Sequence, residues 1–384
     1  MIWSTTVRRA VAAAGAASLL AAPALTTPSA AGAEPASRIV RSSHHVPWHP
    51  NATVDVVKTI GTRTYLGGDF TRLLSSTRGS VTRVRLAVLS SRTGAVVRGF
   101  HARVNGTVRA ISVFDGKVFI GGTFTSVNGT PRAHLAALRL TDGRLAASPN
   151  IRVDGPVYTL LHLGDRLYAG GDFQHVNGAS RTKLFAVTAA GTVANDWPAS
   201  PIGTKGGVYV LAAAPDHHSV LVGGAFHVLV GLPRTFLGRI TLAGRVTPWA
   251  PAPDCDTNCF VLDLTAANGT AYAGSGGPGG RATAYRLSSG GRRWHVHTSG
   301  DVSAISLDGR RLLIGGHFDK VAGHPRPLFA ELSTATGAVR SPRVAASGPL
   351  YPGILDIDRH RGVTLLGGGF QTINGQHRLA QINP

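Results

Sequence analysis

The sequence predicts an all-β fold, a seven-bladed β-propeller whose ring is closed by an N-terminal strand that completes the last blade. Three observations carry this expectation. A Gly-Gly pair preceded by apolar residues recurs along the chain. Other residues keep register with each pair. The two ends of the array are complementary, one supplying what the other lacks.

The pairs stand at Gly67-Gly68, Gly121-Gly122, Gly170-Gly171, Gly223-Gly224, Gly315-Gly316 and Gly367-Gly368, each with Phe two residues after the second glycine. A degenerate copy, Gly274-Ser275-Gly276-Gly277, stands between the fourth and the last two. Successive first glycines lie 41 to 54 residues apart, the spacing of propeller repeats. An apolar anchor precedes the first glycine by 13 residues at Val54, Val108, Val157, Val261, Val302 and Ile354. An arginine follows it by 11 at Arg78, Arg132, Arg181, Arg234, Arg326 and Arg378. Asn-Gly marks a turn at Asn128-Gly129, Asn177-Gly178 and Asn374-Gly375.

Each repeat reads as four short strands. Val108 to Phe114 alternates in part, Asp115-Gly116 is a hairpin turn, and Lys117 to Phe124 returns. Leu135 to Leu140 is a third strand, and an irregular fourth runs to Val153. Helical periodicity is absent beyond the first residues. Four antiparallel strands per repeat make a propeller blade; a β-solenoid has shorter repeats and needs no closure. The fourth strand carries an aromatic at Phe100, Trp197, Trp249 and Trp294, and Trp48 has the same look ahead of the first full repeat. The last copy ends after its third strand, Leu379 to Ile382. The segment around Trp48 is therefore expected to complete that blade and remove the open edge.

Residues 1–33 read as a secretory signal: Arg8 and Arg9, then a short Ala- and Leu-rich run, then Ala31-Gly32-Ala33 before Glu34. The Arg pair points to twin-arginine export, but Ala10-Val11-Ala12 fits that pattern poorly, and the route stays open. Residues 34–384 are then one domain. No later segment has enough uninterrupted apolar residues to span a bilayer. A secreted location follows, with attachment to the cell envelope as an option and a monomer as the expected state.

The chain carries a formal net charge of +20, or +18 without the signal. Such a surface attracts anionic polymers. It also follows from a GC-rich coding bias, since Arg far outnumbers Lys. The basic residues are spread evenly, with no dense run of the kind nucleic-acid patches show, so no nucleic-acid partner is expected. Cys255 and Cys259 form one close pair, which in an exported chain predicts a small disulfide loop.

The pattern Gly-Gly-x-Phe, then Asn-Gly, then Arg and an Ala-containing strand resembles the delta-60 repeat family of bacterial propellers. It is similar, more loosely, to kelch-type propellers and to fungal cortical polarity-marker repeats. The resemblance spans nearly all of residues 34–384 and implies a propeller fold and an exported location. It implies no activity, so no functional residue carries over. Repeat one departs from the pattern, with Leu73 to Arg85 in place of the Asn-Gly turn. Repeat five lacks the Phe and is ten residues short. These two are expected to be the irregular blades.

A residue needed in every blade serves the blade, whereas a catalytic group is needed once. The repeated arginines are therefore expected to satisfy backbone carbonyls or stack on aromatics; the competing reading is an anion-binding crown. Gly274 to Gly279 matches Gly-x-Gly-x-x-Gly but lacks the helix a dinucleotide site needs. His295-Val296-His297 puts two imidazoles on one strand face, without a third ligand at fixed spacing. There is no His-Glu-x-x-His and no Gly-x-Ser-x-Gly. No cofactor or metal is expected.

Carboxylates are scarce, with Glu34 and Glu331 the only glutamates. Asp263 and Asp356 lie two residues after the anchors Val261 and Ile354, and Asp55 lies near the equivalent point of repeat one. These positions fall on the innermost strands, which line a propeller's channel. Converging and unpaired, the three would suit acid–base chemistry on a polysaccharide; bonded to Arg or backbone, they would be structural. The leading expectation is a non-catalytic binding or scaffold module for an extracellular protein or an anionic envelope polymer. The alternative is a secreted polysaccharide hydrolase or lyase.

Overall fold

The computed structural model describes residues 46–197, 206–253, 259–277, 279–340 and 343–383. All regular structure among them is β. The signal segment lies outside the described residues, and no helix among them is long and apolar enough to cross a membrane.

Each repeat lays three strands side by side in chain order. In repeat two these are Val108–Phe114, Lys117–Gly122 and Leu135–Arg139. The Asp115-Gly116 turn has both residues at positive φ, 47° and 67°, the backbone a type I′ hairpin needs. Seven such sheets occur among the described residues. Their first strands are Val54–Ile60, Val108–Phe114, Val157–Leu163, Val208–Ala213, Phe260–Ala267, Val302–Asp308 and Ile354–His360. Residues from all seven line one cavity. Each first strand packs beside the first strand of the next repeat, and Ile354–His360 packs beside Val54–Ile60.

Apolar clusters fill the seams between consecutive repeats. One joins Phe119 of repeat two to Val157 and Phe185 of repeat three; another joins Leu365 and Leu379 of repeat seven to Val54 and Leu66 of repeat one. The repeated phenylalanines, such as Phe124 and Phe318, are fully buried here, each contributing roughly 1.5–3 kcal/mol. The glycine pairs follow from this closeness. A Cβ on Gly121 would stand 2.7 Å from a Val157 methyl of the next repeat, and one on Gly122 would stand 2.0 Å from the Thr107 carbonyl oxygen.

The repeated arginine clips a loop. Arg326 is 2 % exposed; its Nη1 donates to the Pro325 carbonyl at 2.8 Å and its Nη2 to the Arg340 carbonyl at 3.1 Å. Arg234 bonds Pro233 and Thr247 the same way, and Arg181 bonds Ser180 and the Asn195 side chain. Arg132 bonds Pro131. The fixed offset of 11 fails at both ends of the array. In repeat one the clip is Arg83, bonded to Thr82, Val97 and Arg98, while Arg78 is exposed. The insertion there forms an extra sheet from Arg72–Ser75, Gly79–Thr82 and His49–Pro50, which shifts the register by five residues. In repeat seven two residues are missing after Asn374-Gly375. The buried Gln376 takes the place of the clip, and Arg378 takes a φ of 56°, where repeat six has Leu328 at 65°.

Repeat five departs from the others, as expected, but by an added strand and not by a broken sheet. It alone among the described residues forms a four-stranded sheet, Arg292–His297 being its fourth strand. What it lacks is the small outer hairpin that repeats two, three, four and six build around a turn of Asn, Val or Ala followed by Gly. Elsewhere the fourth strand is reduced to single bridges such as Leu138–Leu145 and Leu332–Val339. The fourth-strand tryptophans reach across the seams: the indoles of Trp197, Trp249 and Trp294 donate to the carbonyls of Thr241, Arg286 and Thr334.

The residues ahead of Val46 lie outside those described. Trp48 is buried in the seam cluster of repeats seven and one. The Val46 amide donates to the Gln376 side chain at 3.2 Å, and His49–Pro50 pairs with Arg72–Ser75 of repeat one.

Candidate functional site

The chemistry-bearing residues gather on the first strands because each of these strands carries a β-bulge near its start. In repeat one Val54 pairs with Gly68 and Val56 with Gly67, which leaves Asp55 unpaired between them. The bulge re-aims that side chain, and Asp55 lines the cavity. The bulge residues of the seven repeats are Asp55, Arg109, Tyr158, Tyr209, Leu262, Ser303 and Leu355. All seven line one cavity of about 560 Å³, a size that suits a small-molecule ligand.

The mouth has two unlike sides. Repeats one to four supply a carboxylate, a guanidinium and two phenols. The Arg109 guanidinium carbon sits 5.5 Å from the Tyr158 ring centre, a cation–π distance. Tyr158 and Tyr209 have ring centres 5.7 Å apart, and Phe260 meets Tyr209 edge-on at 6.1 Å. The three rings form a half-buried arc. Asp55 Oδ2 is buried without a hydrogen-bond partner. Burial pushes its carboxyl up to about 6, against the opposing pull of Arg109. Repeats five to seven present Leu262, Ser303 and Leu355 instead.

Asp263 and Asp356 are one residue further along, so Asp55 is not their equivalent; Val56 is. Both are committed to backbone. Asp263 Oδ1 accepts from its neighbour Leu264 N at 2.8 Å, and Oδ2 from Ile305 N of repeat six at 2.7 Å. Asp356 Oδ2 accepts from Val57 N of repeat one at 2.7 Å. Two residues on, Asp358 Oδ2 accepts from Thr59 N at 3.0 Å. Thr159 does the same between repeats three and four, accepting from Leu211 N at 3.1 Å. These side chains staple one first strand to the next. Burial pushes the carboxyls of Asp263 and Asp356 up to about 7. All three aspartates line the one cavity, but the bonding of Asp263 and Asp356 to backbone amides weakens the acid–base reading.

Cys259 is buried; Cys255 lies outside the described residues, and with it the expected pairing. His295 and His297 share a strand face with ring centres 5.0 Å apart, and no group of three or more metal-binding side chains occurs among the described residues. Glu331 is fully buried in repeat six, its Oε2 3.6 Å from Arg311. Arg109, Tyr158, Tyr209 and Phe260 are the mouth residues that sequence reasoning did not assemble. A signal existed: the position after each apolar anchor varies from repeat to repeat, while the anchor itself stays Val or Ile.

Residues 115–145 match a family described as a domain of unknown function (DUF5122) beta-propeller. No curated protein matches the chain by sequence. Among solved structures, the chain is similar to the extracellular domain of the putative one component system BT4673 from B. thetaiotaomicron, with a TM-score of 0.55 and 13 % identity over 90 % of this chain and 39 % of that one. It is also similar to the WD40 beta propeller domain of Doa1, with a TM-score of 0.52 and 12 % identity over 89 % of this chain and 96 % of that one. At such identities the likeness concerns fold alone, and the fold is an all-β propeller.

Proposed function

We propose that this protein is a non-catalytic binding module that engages an anionic polymer of the cell envelope on the face where the cavity opens. The observation behind this is the division of labour among the cavity carboxylates. Two of the three candidate aspartates spend their acceptors on backbone amides, and the third stands beside an arginine and an aromatic arc, a surface suited to holding a ligand. The net charge of +20 favours encounter with an anionic polymer. The seven sheets act as seven blades of a closed ring, with the N-terminal segment around Trp48 completing the last blade; the packing of Ile354–His360 against Val54–Ile60 supports this. The delta-60 resemblance, export through the 1–33 signal and a Cys255–Cys259 disulfide belong to the same reading.

The test is co-sedimentation of the purified protein with isolated cell-wall material across a salt series. Saturable capture that survives moderate salt and weakens in an Arg109→Ala variant is the expected result. Capture abolished by about 0.2 M salt, where the Debye length falls below ~10 Å, would reduce the interaction to charge alone. Release of soluble sugar by the protein would turn the reading to an enzyme.

A further inference from the structure

We propose that the channel mouth binds a single uncharged pyranose ring, stacked on the Tyr209–Phe260 side of the aromatic arc with its hydroxyl edge on Asp55 and Arg109. This rests on the reading of the mouth as the ligand site and names what enters it.

The argument is one of complementarity. A pyranose has an apolar face of C–H groups and a rim of hydroxyls. The apolar face needs an aromatic plane that is still open. Arg109 sits over Tyr158, while Tyr209 and Phe260 line the same cavity beside it, their rings perpendicular to each other. The hydroxyl rim needs acceptors and donors side by side. Asp55 lines the cavity and its Oδ2 is a buried acceptor without a hydrogen-bond partner; a carboxyl turned toward the cavity would exchange that cost for a bond to a ligand hydroxyl. The Arg109 guanidinium offers planar donors at the neighbouring position.

The lining mixes both signs of charge, with Lys58 and Arg109 beside Asp55, Asp263, Asp356 and Asp358. A neutral ring that carries both donors and acceptors can bond groups of either sign without bringing a charge of its own into the cavity. Sites built to bond a hydroxyl discriminate strongly against ligands lacking it, so binding should respond sharply to loss of either polar partner.

The experiment is titration calorimetry of the purified protein with neutral probes (maltose, lactose and chitobiose), with glucuronate as the anionic arm and choline as the cationic arm. At least one neutral disaccharide binds saturably at millimolar concentration or below. Tyr209→Phe retains that binding, while Tyr209→Ala and Asp55→Ala each weaken it by roughly tenfold or more, with thermal melts showing both variants folded. Binding of glucuronate or choline alone overturns the proposal. So does neutral binding indifferent to both variants, or no neutral binding at all. If wall capture persists in those cases, the binding-module reading stands without the pyranose; if it is lost as well, both fall.

Discussion

Two consecutive positions on the same seven strands do different work. The bulge position faces the mouth and varies: Asp55, Arg109, Tyr158 and Tyr209 on one side, Leu262, Ser303 and Leu355 on the other. The next position faces the neighbouring strand, and where it carries an oxygen, at Thr159, Asp263 and Asp356, that oxygen accepts a backbone amide of the following repeat. A carboxylate at the bulge lines the cavity with an oxygen left unpartnered, and one residue later it is a staple. Carboxylate identity alone therefore says nothing of role; the bulge register does.

The largest expected effect breaks this comparison by titration. Asp263 and Asp356 have carboxyls raised from 3.8 to about 7 by burial. A raised acid binds its proton more tightly in the folded state than in the unfolded one. Stability is therefore greatest below about pH 4 for these groups and falls as pH rises through 7. Each pKa unit is worth about 1.4 kcal/mol, so the pair changes stability by an amount on the order of several kcal/mol. Denaturant melts from pH 4 to pH 8 should show the fall. Asp263→Asn/Asp356→Asn should flatten it, because the amide keeps an acceptor without the charge. A flat wild-type profile would remove the electrostatic account of the staples.

Removing the acceptor instead of the charge separates the two positions next. Asp356→Ala leaves Val57 N buried without a partner and should cost roughly 1–3 kcal/mol at pH 4. Asp55→Ala, at the mouth, removes a group whose Oδ2 has no partner, and should leave the melt within about 0.5 kcal/mol or raise it at pH 8. Equal losses from both would mean that the bulge position is structural too.

The sequence made the blade legible and its exceptions illegible, for a physical reason. The glycine pairs, the buried phenylalanines and the hairpin turns are dictated by contacts that recur in every repeat, so they recur in the sequence. Offsets survive only while loop lengths do. The insertion in repeat one moved the arginine clip to Arg83, and the two-residue deletion in repeat seven replaced it with Gln376. Repeat five looked defective by its missing Phe, yet losing the outer hairpin left it a regular four-stranded sheet. The mouth was half legible. Asp55 stood out as a rare carboxylate, but Tyr158 and Tyr209 meet only through packing of successive strands. Arg83→Ala against Arg78→Ala sharpens this point. The first strips the loop carbonyls of Thr82, Val97 and Arg98 of their donor and should cost roughly 1–2 kcal/mol. The second, at an exposed site, should stay within about 0.5 kcal/mol. The reverse order would restore the offset drawn from the sequence.

The smallest effect concerns the outer hairpin, where the same comparison of recurring and variable residues applies. Repeats two, three and seven place Asn128, Asn177 and Asn374 at φ values of 50° to 52°. Repeat six places Ala322 there, at 50° and exposed, followed by Gly323 at 80°. Left-handed backbone costs an ordinary residue roughly 1 kcal/mol, and Asn tolerates it best after Gly. In the other repeats the Asn side chain does a second job: Asn128 Oδ1 accepts from Arg103 N at 2.8 Å and Asn177 Oδ1 from Arg152 N at 2.8 Å. In repeat six the equivalent residue is His297, which already belongs to the four-stranded sheet of repeat five through its pairing with Arg281. Ala322→Asn should therefore gain the backbone contribution alone, a few tenths of a kcal/mol up to about 1, seen as a small rise in melting temperature. A gain as large as the loss from Asn128→Ala would mean that the side-chain bond forms in repeat six as well, and that the regular sheet of repeat five does not compete for the His297 amide.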